Sequence, residues 1–156
     1  MLDVQLKTTG PQTVAYVSMH GPYAQIPEAM GHLYSWVEQH GLRPAGMPVG
    51  VYIDDPKTVD ANMARWEVRT PVVGDPPVVE EPSGVGVKRV ESHLVASVMS
   101  RGGYDNIAPT YSELDEWVAS HGYEVVGPPE ELYYSDPATT KPEEYLTEIR
   151  FPVARH

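Results

Sequence analysis

The sequence predicts an α+β fold made by tandem duplication, with helices on one face of an antiparallel sheet. The first observation is an internal repeat: shifted by 81 residues, Val14–Val72 aligns with Val95–Val153 without a gap, and about 20 of 59 positions are identical. The second is that both copies show the same order of patterns, namely strand, helix, strand and strand. Two copies are too few for a solenoid, so we expect a pseudo-two-fold fused pair in which any pocket lies where the halves meet.

Each copy begins with a predicted strand followed by a predicted helix. The strands are the apolar, β-branched stretches Thr13–Met19 and Leu94–Met99. Apolar residues then recur at helical spacing, and they are Ile26, Met30, Leu33 and Val37 in one copy and Ile107, Tyr111, Leu114 and Val118 in the other. Gly41 and Gly122 stand where a left-handed residue is expected to end each helix.

Two further predicted strands complete each copy. Val49–Asp54 and Leu132–Ser135 run into Asp-Pro turns, and Arg65–Val72 and Tyr145–Val153 form the last strands. Between the copies, Val73–Gly86 is rich in Pro, Gly and Glu and is predicted to be a linker. We therefore expect a single domain whose repeats span residues 1–73 and 85–156.

Strand alternation predicts which side chains of the last strands share a face. The apolar pairs Trp66/Val68 and Ile149/Phe151 are expected to pack under the helices. The two Glu–Arg pairs, Glu67/Arg69 and Glu148/Arg150, then lie on the helix-free face. A pseudo-dyad between the halves would bring Glu67 and Glu148 towards one another.

Two interpretations of these glutamates remain open. They form solvated ion pairs worth less than about 1 kcal/mol each, or they are recessed carboxylates ringed by Tyr52, Tyr133 and Tyr104. The second arrangement suits an organic cation, which is attracted both by the carboxylate and by aromatic ring faces.

Composition excludes several classes of function. A net charge of −11 argues against nucleic acid and anionic membranes as partners. The absence of cysteine excludes disulfides and thiolate chemistry. The six histidines form no metal-ligand pattern, so no metal site and no cofactor is expected. Without a membrane-length apolar run or a signal peptide, the default expectation is a soluble cytoplasmic protein.

Ordered motifs in the second copy carry a family resemblance. They are His93-Leu94-Val95-Ala96, Gly102-x-Tyr104-x-x-Ile107, Leu114-x-x-Trp117, Gly122-Tyr123-Glu124, Gly127-Pro128-Pro129-x-Glu131-x-Tyr133-x-x-Asp136-Pro137 and Leu146-Thr147-Glu148-Ile149-x-x-Pro152-Val153. Together with the duplication, they make the chain resemble the GyrI-like small-molecule-binding domain, also known as the AraC-type effector-binding domain. Similar domains occur in multidrug-sensing transcription regulators. Because this sequence starts at the effector domain, we expect no DNA-binding domain.

The resemblance implies a concave ligand groove between the halves, on the helix-free face of the sheet. This groove is expected to bind a small organic molecule, lipophilic or cationic, for sensing or sequestration. Glu148 matches the glutamate that faces cations in similar regulators, and Glu131 and Tyr133 match the Glu-x-Tyr motif. The expected ligand-binding residues are Glu148, Glu131, Tyr133, Tyr52, Trp66, Glu67 and Tyr104.

Two alternative functions come from stand-alone proteins that the chain resembles. One is a hydrolase that opens strained cyclopropane rings of alkylating compounds, with paired glutamates, Glu148 and Glu131 or Glu67 and Glu148, as acid and base. The other is a gyrase-inhibitor-like interaction with a protein partner.

Overall fold

A computed structural model describes residues 3–55, 58–103, 107–135 and 139–156 of the chain. Its described residues form ten β-strands and two α-helices, and every strand pairing is antiparallel. The α+β fold class is therefore confirmed. The chain divides into two compact units, Pro11–Glu91 and Met1–Gly10 with Ser92–His156.

The elements follow in chain order. They are β1 (Gln5–Thr9), β2 (Gln12–His20), α1 (Ile26–Gln39), β3 (Val49–Tyr52), β4 (Arg65–Pro71), β5 (Val79–Glu80), β6 (Val85–Val90), β7 (His93–Arg101), α2 (Ile107–Ser120), β8 (Tyr123–Val125), β9 (Glu130–Tyr133) and β10 (Leu146–Arg155). Short 3-10 turns lie at Tyr23–Gln25 and Pro142–Glu144.

In the Pro11–Glu91 unit the strands lie in the order β3-β4-β2-β6-β5. Helix α1 packs on one face and buries its apolar stripe, including Leu33 and Val37, against Trp66 and Val68 of β4. Gly41, just past the helix, has a φ of 68°. This left-handed conformation, which a glycine adopts without strain, confirms the predicted helix end.

In the other unit the strands lie in the order β1-β7-β10-β9, and β8 pairs with the end of β10. Helix α2 buries Leu114 and Val118 against Ile149 and Phe151 of β10. Gly122 ends the helix with a φ of 82°. Within each unit the helix therefore covers the apolar face of the last strand, as the alternation predicted.

The segment that the sequence analysis interpreted as a linker contains strand structure, which is the main difference between the predicted and the observed fold. Val73–Gly86 contains all of β5 and the first two residues of β6. Strand β6 pairs with β2, whereas β1 at the start of the chain pairs with β7. The linker interpretation thus missed β5 and the start of β6, and β1 was not predicted either. The unit boundaries follow from this pairing, because β1 joins the second copy and β6 joins the first.

Some sequence expectations are not addressed by this structure. The second residue of the first Asp-Pro turn and the whole of the second one lie outside the described residues. The groove between the repeats and their pseudo-two-fold relation stay predictions. Neither helix in the described ranges has the length and apolar character needed to cross a lipid bilayer.

Candidate functional site

Glu148 near the start of β10 is a buried carboxylate with four hydrogen-bond donors. Its side chain is 2% exposed. The hydroxyl of Tyr134 donates to Oε1 at 2.5 Å. Oε2 accepts from the hydroxyl of Ser97 at 2.7 Å, from Nε of Arg150 at 2.6 Å and from Nζ of Lys7 at 2.8 Å. Both oxygens are thus hydrogen-bonded, as a buried carboxylate requires.

Strand register explains how these donors come together. Directly paired residues of antiparallel strands point to the same face. Glu148 pairs with Met99 of β7, so Ser97, two residues earlier, lies on the same face. Lys7 of β1 pairs with Val95, again two residues along β7. All of these residues therefore lie on the face opposite helix α2.

The donors determine the ionisation of the site. Burial alone would raise the pKa of Glu148, but the four hydrogen bonds outweigh burial and lower this pKa to about 2. Burial, followed by the hydrogen bond to Glu148, raises the pKa of Tyr134 to about 12. At neutral pH the glutamate is therefore ionised and the tyrosine is a neutral donor.

Glu67 on β4 is at the centre of a similar cluster in the other unit. Its side chain is 5% exposed and accepts hydrogen bonds from Nζ of Lys88 at 2.7 Å and from the hydroxyl of Ser18 at 3.3 Å. Nε of Arg69 forms an ion pair with the other carboxylate oxygen. The ammonium group of Lys88 also lies 4.5 Å from the ring centroid of Tyr16.

The two clusters share their charged groups and differ in their hydroxyl donors. The shift of 81 residues relates Glu67 to Glu148, Arg69 to Arg150 and Lys88 to Lys7. Each cluster thus combines one carboxylate with two cations. Ser97 and Tyr134, by contrast, are aligned with Tyr16 and Ile53, so these two hydroxyl donors are specific to the Glu148 cluster. At Glu67 the hydroxyl donor is Ser18.

Glu131 and Tyr133 lie on the opposite face of their strand from the expected site. They pair with Ile149 and Thr147, which put them on the helix side of the sheet. There Glu131 accepts hydrogen bonds from the hydroxyl groups of Tyr111 on α2 and of Tyr133, the latter at 3.0 Å. The structure therefore does not bring Glu131 and Tyr133 together with Glu148.

Tyr52 and Trp66 are also on the helix side, in the other unit. Trp66 is 1% exposed and donates a hydrogen bond from Nε1 to the carbonyl oxygen of Gly21 at 2.9 Å. Tyr52 pairs with Trp66, and its ring lies 5.0 Å from that of Tyr23. The predicted ring of Tyr52 and Tyr133 around a glutamate is therefore wrong, because the register directs these tyrosines away from both carboxylates. Tyr104, the third predicted member, lies outside the described residues.

The histidines show one feature that the sequence did not reveal. His93 begins β7 on the same face as Ser97, and its Nε2 lies 3.3 Å from Oε2 of Glu130. Its Nδ1 lies 3.1 Å from the hydroxyl of Thr9. In the described part of the chain, no group of three or more His, Cys, Asp or Glu side chains is placed to hold a metal ion.

Lys7 and Lys88 are the functional candidates that the sequence analysis missed. Both lie on strands that it did not predict, β1 and β6. The signal was present in the repeat itself, because the same shift of 81 residues also aligns Val4 with Val85 and Lys7 with Lys88. Extending the alignment towards the N-terminus would have identified both lysines.

Comparison with known proteins gives an independent view of the chain. The profile of the GyrI-like small molecule binding domain matches residues 2–154. A DNA gyrase inhibitor of Klebsiella pneumoniae (strain 342) is 28% identical over 138 residues, which are 86% of this chain and 87% of the inhibitor.

Three solved structures have a similar fold. The crystal structure of the EcmrR C-terminal domain matches 100% of this chain and 99% of that domain, with a TM-score of 0.85 and 20% identity. In the cryo-EM structure of EcmrR with DNA, the chain spans 58% of the EcmrR chain. The structure of SAV2435 bound to tetraphenylphosphonium matches 98% of this chain and 94% of that chain, with a TM-score of 0.56 and 17% identity.

The family profile covers almost the whole chain, and the described fold agrees with that of the EcmrR C-terminal domain. The resemblance inferred from the ordered motifs of the second copy is thereby confirmed. The chain belongs to the family of GyrI-like small molecule binding domains.

Proposed function

We propose that the chain binds a small organic molecule, lipophilic or cationic, on the face that carries Glu148, and that it senses or sequesters this molecule. The observation that carries the proposal is an ionised carboxylate that is 2% exposed and yet held in place by four donors. A buried charge is costly, and such groups are concentrated at functional sites.

Apolar side chains on the same face support a lipophilic ligand. Met99 pairs directly with Glu148 on β7 and is 47% exposed. Leu132 of β9 pairs with Glu148 on the other side of β10. Tyr134, two residues after Leu132, is 42% exposed. A flexible thioether and an aromatic ring beside a carboxylate provide adaptable contacts for an aromatic ligand.

The comparisons support the same class of ligand. SAV2435, which has a similar fold, binds tetraphenylphosphonium, an aromatic organic cation. We propose the corresponding chemistry for this chain, in which Glu148 offers the charge, and Met99 and Tyr134 offer contact surface. Glu67, in the equivalent position of the other unit, is proposed as a second anchor of the same kind.

Calorimetric titration with two ligands of matched shape tests the proposal. The ligands are methyltriphenylphosphonium, a cation, and triphenylphosphine oxide, which is neutral. Heat is the appropriate signal because Trp36 and Trp66 belong to the core on the helix side, where their fluorescence would respond weakly. Saturable binding of at least one ligand is expected, and no heat with either ligand would contradict the proposal.

Two variants locate the site. Met99→Ala removes an exposed side chain and is expected to weaken both ligands about threefold to tenfold, with little effect on folding. Glu148→Gln is expected to weaken the cation more than the neutral ligand. Glu143→Gln, which removes an exposed carboxylate, is the matched control and should bind as the native chain does. Unchanged affinities in both site variants would place the ligand elsewhere.

The hydrolase alternative receives no support from this geometry. Glu131 and Glu148 lie on opposite faces of the sheet that β9 and β10 form. In this arrangement they cannot act as an acid–base pair on one substrate. A pKa of about 2 also makes Glu148 a weak base and leaves it no proton to donate near neutral pH.

A gyrase-inhibitor-like interaction is the second candidate function. The observation that favours it is the 28% identity to a DNA gyrase inhibitor over most of both chains. Size-exclusion chromatography of the purified chain with gyrase would show a stoichiometric complex if the candidate is right. Separate elution of the two proteins at micromolar concentration would exclude it.

A further inference from the structure

The negative charge of Glu148 is already compensated within the protein. Lys7 and Arg150 both contact Oε2, so the cluster carries one negative and two positive formal charges. A cationic ligand approaching this carboxylate therefore meets two protein cations first. The electrostatic attraction between the ligand and Glu148 therefore depends on whether Lys7 or Arg150 can move away from the carboxylate.

The two cations differ in their freedom to leave. Arg150 lies two residues from Glu148 on the same strand and its side chain is 16% exposed. The side chain of Lys7 is 39% exposed and comes from β1, the last strand in the order of its unit. Its ammonium group is a compact, strongly hydrated charge on a flexible stem. Of the two side chains, that of Lys7 can more readily leave the carboxylate, because its ammonium group can be hydrated by the nearby solvent.

We propose that Lys7 is a specificity-determining residue that competes with cationic ligands for the carboxylate of Glu148. A cation gains full contact with Glu148 only when the ammonium group of Lys7 moves out into solvent. A neutral ligand that packs on Met99 and Tyr134 does not require this movement. This inference rests on the proposed function and adds the charge preference of its site.

Lys88 is in the equivalent position at Glu67. Its ammonium group lies 2.7 Å from the carboxylate and its side chain is 35% exposed. A partly exposed lysine thus forms an ion pair with a buried glutamate in both copies of the repeat, although the hydroxyl donors around the two glutamates differ. Conservation of the lysine between copies that share only about 20 of 59 aligned residues fits a role at the site.

The decisive quantity is the ratio of the affinities for the cation and for the neutral ligand. A lysine that only stabilises the fold affects both ligands alike when it is replaced, and the ratio stays the same. A lysine that competes with cations changes the ratio. The measurement thus separates the two roles even in a variant of reduced stability.

The experiment titrates methyltriphenylphosphonium and triphenylphosphine oxide into the native chain and three variants. In Lys7→Met the cation-to-neutral ratio should rise about tenfold, because a unit charge near the ligand is removed. Lys7→Arg keeps the charge and should retain the native ratio. Lys141→Met removes an exposed lysine of the same unit and is the matched control for net charge.

Three outcomes are distinguishable. A rise confined to Lys7→Met supports the inference. Binding with the same ratio in the native chain, Lys7→Met and Lys141→Met overturns the competition and leaves the proposed function intact. Absence of binding of both ligands to the native chain and every variant overturns the proposed function, and the inference with it.

Discussion

Protonation of Glu148 should destabilise the protein as the pH falls, and the size of this effect follows from its hydrogen bonds. The pKa is lowered from 4.5 to about 2 in the folded state. A shift of about 2.5 units corresponds to roughly 3 kcal/mol of stability. Because the folded-state pKa is the lower one, this contribution is complete above about pH 4.5 and is lost as the pH falls towards about 2.

Urea denaturation at several pH values measures this contribution. Between about pH 6 and about pH 3 the native chain should lose about 2 kcal/mol through Glu148. With an m-value of about 2 kcal/mol per molar urea, the loss lowers the midpoint by about 1 M. Many other carboxylates titrate in this range, so the measurement compares the native chain with Glu148→Gln.

Glu148→Gln should be less stable than the native chain at neutral pH, because a neutral amide leaves the cations of Lys7 and Arg150 without their carboxylate. The stability gap between the two proteins should narrow by about 2 kcal/mol as the pH falls to about 3. Glu143→Gln removes an exposed carboxylate and should stay parallel to the native chain. Parallel pH profiles for the native chain and Glu148→Gln would refute the reasoning.

Four further substitutions are predicted to change stability, and the effect of each is measured by urea denaturation at neutral pH. Ser97→Ala removes the 2.7 Å hydrogen bond to Glu148 and should cost about 1–3 kcal/mol, whereas an unchanged midpoint would show that water replaces the hydroxyl. Trp66→Phe removes a buried indole and its hydrogen bond and should cost about 2 kcal/mol or more. Gly122→Ala, at a φ of 82°, should destabilise by about 1 kcal/mol. Gly31→Ala, in the exposed middle of α1 with free space around it, should stabilise by about 0.5–1 kcal/mol, and equal signs for the two glycine variants would contradict this argument.

The order of the elements within each copy could be predicted because it depends on local patterns. Helical spacing predicted α1 and α2, and glycine predicted where both of them end. Alternation along the last strands predicted that Trp66 and Ile149 would be buried and that Glu67 and Glu148 would lie on the opposite face. These patterns require only that each strand has one apolar face.

Strands β1 and β6 escaped prediction for a physical reason. Gln5–Thr9 is a short and mainly polar stretch, and Val85–Val90 has a glycine as its second residue. Gly86, Lys88 and Lys7 are of residue types that are depleted in strands, and they weaken the local strand pattern. The two segments become strands because β7 and β2 offer them unpaired backbone groups, and these partners are distant in the sequence.

For the proposed ligand site, too, the sequence determined one part and the tertiary structure the other. The sequence by itself determined that Glu148 lies on the helix-free face, because alternation along one strand is a local property; its burial was seen only in the structure. It did not determine which side chains surround the carboxylate, since that depends on the register between strands, and a shift of one residue reverses every face. Register placed Lys7, Ser97 and Tyr134 at the carboxylate, and it turned Glu131 and Tyr133 towards α2. The face on which Glu148 lies was therefore determined by the sequence, and the charge balance around its carboxylate was decided only by the tertiary structure.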